Sequence, residues 1–116
     1  MLIVDDDAEF LALAGRIVSE LGVDVVATAA DATEALVVAL NSRPDAALVD
    51  IGLPDRDGID LAHQLSEMPW KPRVVLTSSD SDAFLAVEAR QGPRLLPFIA
   101  KEELASDTLG RALTEG

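Results

Sequence analysis

Short apolar runs alternate with stretches of helical period from one end of the chain to the other, and the alternation predicts five strands and five helices. Leu2 to Val4 is the first strand. Asp7 is placed to cap a helix from Ala8 to Leu21, whose Phe10, Ala14, Ile17, Val18 and Leu21 recur on one face, and Gly22 ends it. Val23 to Ala27, half polar in pattern, predicts a second strand toward a sheet edge. Asp31, with Glu34 three residues later, resembles a capping box and opens a helix to about Asn41. Ala46 to Val49 is the third strand. A loop over Ile51 to Asp57, punctuated by Pro54 and Gly58, leads into a helix from Ile59 to Ser66. The fourth strand, Arg73 to Leu76, runs into Thr77-Ser78-Ser79-Asp80 and then a helix from about Ala83 to Gln91, stopped by Gly92-Pro93. Leu95 to Ala100 is the fifth strand. It contains Pro97, which cannot donate to a ladder, so this strand belongs at an edge. A helix over Ser106 to Thr114, with Leu109 and Leu113 four apart, completes the pattern.

Strands that alternate with helices predict one α/β unit around a doubly wound parallel sheet. With strand order 2-1-3-4-5, strands one and three are neighbours and the winding switches direction between them, which is where such sheets place ligand sites. A chain of 116 residues without repeat or linker predicts one domain over residues 1–116. At 49% hydrophobic residues it should be globular. Nine basic against 21 acidic residues give a net charge of −12, which argues against direct grip on nucleic acid or an anionic membrane and points to a protein or small-molecule partner. The absence of cysteine removes disulfides and thiolate metal sites. No apolar stretch approaches the ~20 residues of a membrane span, and no basic region precedes an apolar segment as in a signal peptide. The expectation is a soluble cytoplasmic protein. A first strand that starts at Leu2 also suggests a chain trimmed from a longer one.

Acidic residues sit where the first and third strands end, Asp5 and Asp6 after Val4 and Asp50 after Val49. Neighbouring strands bring these carboxylates together. Like charges so close raise one another's proton affinity unless a hard cation takes the oxygens, and Mg²⁺ typically uses one or two carboxylates plus waters and substrate phosphate. Strand four brings Thr77 and strand five brings Lys101 to the same rim. A hydroxyl and an ammonium opposite a metal-bound aspartate suit phosphoryl transfer, in which charge spreads over three equatorial oxygens.

The order Asp5-Asp6, Asp50 with Leu53-Pro54 and Asp57-Gly58 behind it, Thr77, and Phe98-Ile99-Ala100-Lys101 resembles the receiver domain of two-component response regulators, over the whole chain. The resemblance implies a flavodoxin-like fold of five βα units and a signalling module, not a turnover enzyme, that catalyses only its own phosphorylation and dephosphorylation. It implies that Asp50 is the phosphoacceptor, taking its phosphoryl group from a sensor histidine kinase, a phosphotransfer protein or a small acyl phosphate. Mg²⁺ would be held directly by Asp6, mostly through water by Asp5, and by Asp50 and the Gly52 carbonyl. Lys101 would pair with Asp50 and then with the phosphoryl oxygens. Thr77 would bond the phosphoryl group, drawing its loop inward, while Phe98 rotates inward and the face of the fourth helix, fifth strand and fifth helix changes. That face would meet a downstream effector, an attached output domain or a second copy in a homodimer. Two departures stand out. Glu102 occupies the place where many receivers have a cis-proline, leaving a trans bond or a non-proline cis bond there, and Ser78 stands where Ala or Gly is common. The Lys101-Glu102-Glu103-Leu104 version resembles a receiver subgroup often fused to helix-turn-helix DNA-binding domains.

Rival readings are a stand-alone Mg²⁺ phosphohydrolase with an aspartate nucleophile, which lacks a second aspartate because Gly52 stands two residues after Asp50, and a receiver-like scaffold that works without phosphorylation. Plainer roles apply elsewhere. Asp7 reads as a helix cap, Asp57-Gly58 as a turn and helix start, His63 as a solvated side chain and Trp70 as packing. Phe98 has core packing as its alternative.

Overall fold

The computed structural model describes residues 1–80, 83–91, 95–105 and 107–114. Its strands are β1 (Leu2–Val4), β2 (Ala27–Ala29), β3 (Ala46–Asp50), β4 (Arg73–Ser78) and β5 (Phe98–Ala100); its helices are α1 (Ala8–Glu20), α2 (Ala32–Ser42), α3 (Gly58–Ser66), α4 (Phe84–Gln91) and α5 (Asp107–Thr114). A 3-10 turn covers Lys101–Glu103. All strands run parallel in the order β2-β1-β3-β4-β5, the predicted doubly wound sheet with β2 and β5 at its edges.

Alternate strand residues feed opposite faces of the sheet. Leu2, Val4, Val49, Val74 and Leu76 pack against Ala35 and Ala39 of α2 and Leu61 and Leu65 of α3. Ile3, Leu48, Val75 and Ile99 pack on the other side against Phe10, Ala14 and Val18 of α1 and against Leu104 and Leu109. Apolar residues therefore run almost unbroken along β1, β3 and β4, as a sheet covered on both faces requires, and each fully buried Leu, Ile or Val stabilises by roughly 1.5–3 kcal/mol.

Three aspartates start helices at the carboxyl ends of the strands. Asp7 accepts from the N–H groups of Glu9 and Phe10, Asp31 from Glu34, and Asp57 from Ile59. The caps expected at Asp7 and Asp31 are present, Asp31 making the forward half of the capping box, and Asp57 opens α3 as read. Gly22 follows α1 with φ +81, a left-handed conformation natural to glycine.

Two strands start at residues other than those the sequence assigns. The second was expected at Val23 to Ala27 but lies at Ala27–Ala29, because β1 pairs with it in the register Leu2↔Ala27 to Val4↔Ala29. The alternation over Val23 to Val26 has another cause, since Val23 and Val25 pack toward the α1 cluster without a ladder. The fifth strand starts at Phe98, not Leu95. Pro97 contributes only its carbonyl, accepting from the N–H of Leu76 at 2.8 Å, while the side-chain amide of Gln91 holds Leu96 in both directions. Pro97 thus precedes the strand instead of interrupting it. β3 and β4 run further than read, taking in Asp50 and Thr77-Ser78. The stop at Gly92-Pro93 and the helix start at Ser106 lie outside the described residues.

At the opposite end of the sheet, Trp70 packs as expected. Its indole N–H donates to the Pro44 carbonyl at 2.9 Å and the Arg43 guanidinium lies 4.8 Å from a ring centroid.

Candidate acidic site at the carboxyl ends of the strands

β1 and β3 are adjacent, so the residues that follow Val4 and Val49 emerge side by side. Asp5, Asp6 and Asp50 each present a carboxylate oxygen, and these oxygens lie within 4.8 Å of one another. Asp5 is fully buried and Asp50 nearly so, at 8% exposure, while Asp6 faces solvent. Burial first, and then the charges of Asp5 and Asp6, hold the Asp50 carboxyl above its usual range, against the opposing pull of the Gly52 N–H and Lys101. Three hard carboxylate oxygens gathered beside a single ammonium, that of Lys101, fit a divalent cation such as Mg²⁺.

Each carboxylate is aimed by its neighbours. Asp5 Oδ1 accepts from the Asp7 N–H at 2.8 Å, and Asp50 Oδ1 from the Gly52 N–H at 3.2 Å. Behind Asp50, the Ile51 N–H donates to Thr77 O and the Gly58 N–H to Ile51 O. Gly58 has a reason beyond the turn read from sequence. A Cβ there would collide with the Asp50 carbonyl oxygen and lie 2.6 Å from the Ile51 Cα, so α3 approaches the end of β3 as closely as only glycine allows.

The other rim residues arrive on β4 and β5. Thr77 is the cross-strand partner of Asp50 and is completely buried; its hydroxyl donates to the Ile99 carbonyl at 2.7 Å. Ser78 is buried and accepts the Asp80 N–H through its hydroxyl, at 3.0 Å. Lys101 follows β5 directly, on the 3-10 turn anchored by buried Leu104, and no cis peptide bond occurs among the described residues. Its Nζ lies 2.7 Å from Asp5 Oδ2 and 3.8 Å from Asp50 Oδ2, so the pairing expected with Asp50 is secondary to a closer one with Asp5. The physical reason is burial. Asp5 Oδ2 is sealed from water, so an ammonium gains more beside it than beside the partly exposed Asp50. Phe98 is half-buried and packs at the margin of the α2 and α3 cluster, next to a cavity of about 110 Å³ that Val87, Gln91, Leu96 and Pro97 also line.

Two contributors were not evident from spacing. Phe10, read only as part of an apolar helix face, places its ring 4.1 Å from Lys101 Nζ. Asp55, 23 residues from its partner, accepts the Ala32 N–H at 2.9 Å and the Thr33 N–H and hydroxyl at 3.1 and 3.0 Å. It thereby ties the loop after β3 to the start of α2. No local signal could have revealed it.

Residues 1–112 match the family model described as response regulator receiver domain, and the chain belongs to that family. It is 37% identical over 109 residues to the transcriptional regulatory protein PrrA of Mycobacterium tuberculosis, covering 90% of this chain and 46% of that protein. With the transcriptional regulatory protein PdtaR of the same organism it shares 35% over 110 residues, covering 94% of this chain and 52% of PdtaR. The chain thus spans about half the length of these relatives. Among solved structures it is similar to the receiver domain of NtrX from Brucella abortus, with a TM-score of 0.77, 27% identity and coverage of 99% of this chain and 98% of that one. The signal receiver domain of the putative response regulator NarL from Mycobacterium tuberculosis is also similar, with a TM-score of 0.74, 30% identity, and 96% and 93% covered. Among the described residues no helix is long and apolar enough to cross a membrane.

Proposed function

We propose that this chain is the phosphoacceptor of a two-component relay, with Asp50 as the residue that is phosphorylated. The observation that carries the reading is the register Asp50↔Thr77, which puts a nearly buried nucleophile beside a buried hydroxyl, with two further carboxylates and an ammonium closing the same rim. An Asp50 carboxylate oxygen attacks phosphorus. The new acyl–phosphate O–P bond forms as the P–N bond of a partner's phosphohistidine breaks, and the leaving imidazole keeps that electron pair. Asp5, Asp6, Asp50 and the Gly52 carbonyl would hold Mg²⁺, Asp5 mostly through water. When bound, the ion supplies positive charge against the transferring oxygens. Lys101 supplies the same from the opposite side, turning from Asp5 to the phosphoryl group.

Thr77 makes the switch. Its hydroxyl is engaged with Ile99 O in this structure, and a phosphoryl group on Asp50 offers a stronger, charged acceptor. Exchange of one acceptor for the other draws the start of the segment before α4 inward, and Phe98 turns into the space released. The altered α4-β5-α5 face then meets an effector, an attached output domain such as a DNA-binding one, or a second copy of this chain. The domain itself leaves nucleic acid to that partner, consistent with its charge of −12.

Incubation with acetyl phosphate and Mg²⁺ followed by mass spectrometry tests the reading. Wild type gains one phosphoryl group, Asp50→Asn gains none, and Thr77→Ala is labelled while its α4-β5-α5 amide signals cease to respond to beryllofluoride. Equal labelling of wild type and Asp50→Asn overturns the assignment, and turnover of acetyl phosphate with no adduct would favour the phosphohydrolase.

A further inference from the structure

Lys101 has two tasks if the reading above holds, on which this inference rests: to keep its ammonium inside the site before phosphorylation, and to release it to a phosphoryl oxygen afterwards. We propose that the aromatic ring of Phe10 is the seat that positions the Lys101 ammonium for phosphoryl transfer. Lys101 Nζ lies 4.1 Å from the ring centroid, well inside the range in which an ammonium is attracted to an aromatic face. The Lys101 side chain is 19% exposed and Phe10 is 7% exposed. The contact is therefore largely out of water, where that attraction is strongest.

The ring does what a further carboxylate could not. An anion would occupy an N–H of the ammonium and compete with the phosphoryl group for it. The ring attracts the charge through its face and leaves the N–H groups facing Asp5 and Asp50 available. An aliphatic side chain of the same size would fill the volume without attracting the charge.

One loop fixes both partners of the ammonium. The Asp7 N–H aims Asp5 through Oδ1, and the Asp7 carboxylate accepts the Phe10 N–H as it caps α1. Lys101, arriving from β5, thus docks between a carboxylate and a ring whose separation the cap of α1 sets. Phe10 is a positioning residue in this scheme, since it acts on the phosphoryl group only through Lys101.

The test compares wild type with Phe10→Leu, Phe10→Tyr and Lys101→Met. Labelling by acetyl phosphate with Mg²⁺ is read beside the proton NMR shift of the Lys101 ε-methylene and the thermal midpoint. The expected result, at a temperature where every variant is folded, is labelling about fivefold slower in Phe10→Leu and near wild type in Phe10→Tyr, with the Phe10→Leu midpoint lowered by the smaller side chain in the core. The ε-methylene signals should be shifted upfield by the ring in wild type and Phe10→Tyr and return to the ordinary lysine position in Phe10→Leu. Phe10→Met, also flexible and apolar, replaces Phe10→Leu if that variant fails to fold. Wild-type labelling in Phe10→Leu while Lys101→Met is slow overturns the role of Phe10 and leaves that of Lys101 standing, as does an ε-methylene shift indifferent to the ring. If Lys101→Met labels as fast as wild type, the role given to Lys101 is wrong and the seat has no catalytic purpose.

Discussion

Among the described residues, the carboxylate side of the site and the hydroxyl side differ in how far their ties rest on exposed charged side chains. Around β1 and β3, loops are tied by backbone N–H groups: Asp7 to Asp5, Gly58 to Ile51, Ile51 to Thr77, and Ala32 and Thr33 to Asp55. Around α4, the Ala83 N–H donates to the Asp80 carbonyl, and among the described residues side chains make the ties to its neighbours. Arg90 pairs with Asp57 and, at 3.8 Å, with Asp60 on α3, and the Gln91 amide holds Leu96. The Arg90 side chain is half exposed, so its pairs are screened by water and weak. Phosphoryl transfer needs oxygens held to a fraction of an ångström, whereas a switch needs contacts that a modest free-energy difference can rearrange. On the proposed reading, the molecule divides the two demands between its halves.

Gly58→Ala attacks the fixed half most directly. The added Cβ collides with the end of β3, so α3 or the Asp50 carbonyl must shift, and a loss of roughly 3 kcal/mol is expected in urea denaturation together with slow labelling of Asp50. A loss below ~1 kcal/mol would mean that the loop yields, and the contrast between the halves would weaken.

Asp50→Asn acts in the opposite direction on stability. The folded state binds the Asp50 proton more tightly than the unfolded chain does, because burial and the Asp5 and Asp6 charges disfavour the anion. Stability therefore falls as pH rises through the ordinary carboxylate range toward the raised folded value, and stays lower above it. In metal-free buffer the variant should be more stable than wild type at pH 7, with the gap closing below about pH 4. A gap independent of pH, measured by denaturant midpoints, would remove charge repulsion as its cause.

Arg90→Gln should have the smallest effect, about 0.5 kcal/mol at low salt and less at high salt. A loss above ~1.5 kcal/mol would place α4 with the fixed elements.

Most of this architecture was legible because its signals are local. Apolar runs marked the three central strands, and Asp7 and Asp31 marked helix starts by their spacing to the N–H groups they cap. The carboxylate cluster followed from topology once Asp5, Asp6 and Asp50 were assigned to strand ends. What escaped depends on contacts between distant segments. The alternation over Val23 to Val26 records packing on α1 and not a ladder, so it misplaced β2. The preference of Lys101 for Asp5 depends on which oxygen is sealed from water, a property that no spacing encodes. Gly58 looked like turn punctuation because a close approach of backbones leaves the same letter in the sequence as a tight turn does.

The tie between Trp70 and Pro44 bears on how this protein can be observed. Trp70 is the single tryptophan, and it sits at the amino ends of β3 and β4, while Asp50 and Thr77 stand at their carboxyl ends. Six residues at about 3.3 Å each put roughly 20 Å between the Pro44 carbonyl, which the indole binds, and Asp50. Trp70 fluorescence is therefore a witness to the fold as a whole and not to the site: a variant with native emission and lost labelling keeps the fold, and its defect lies at the site.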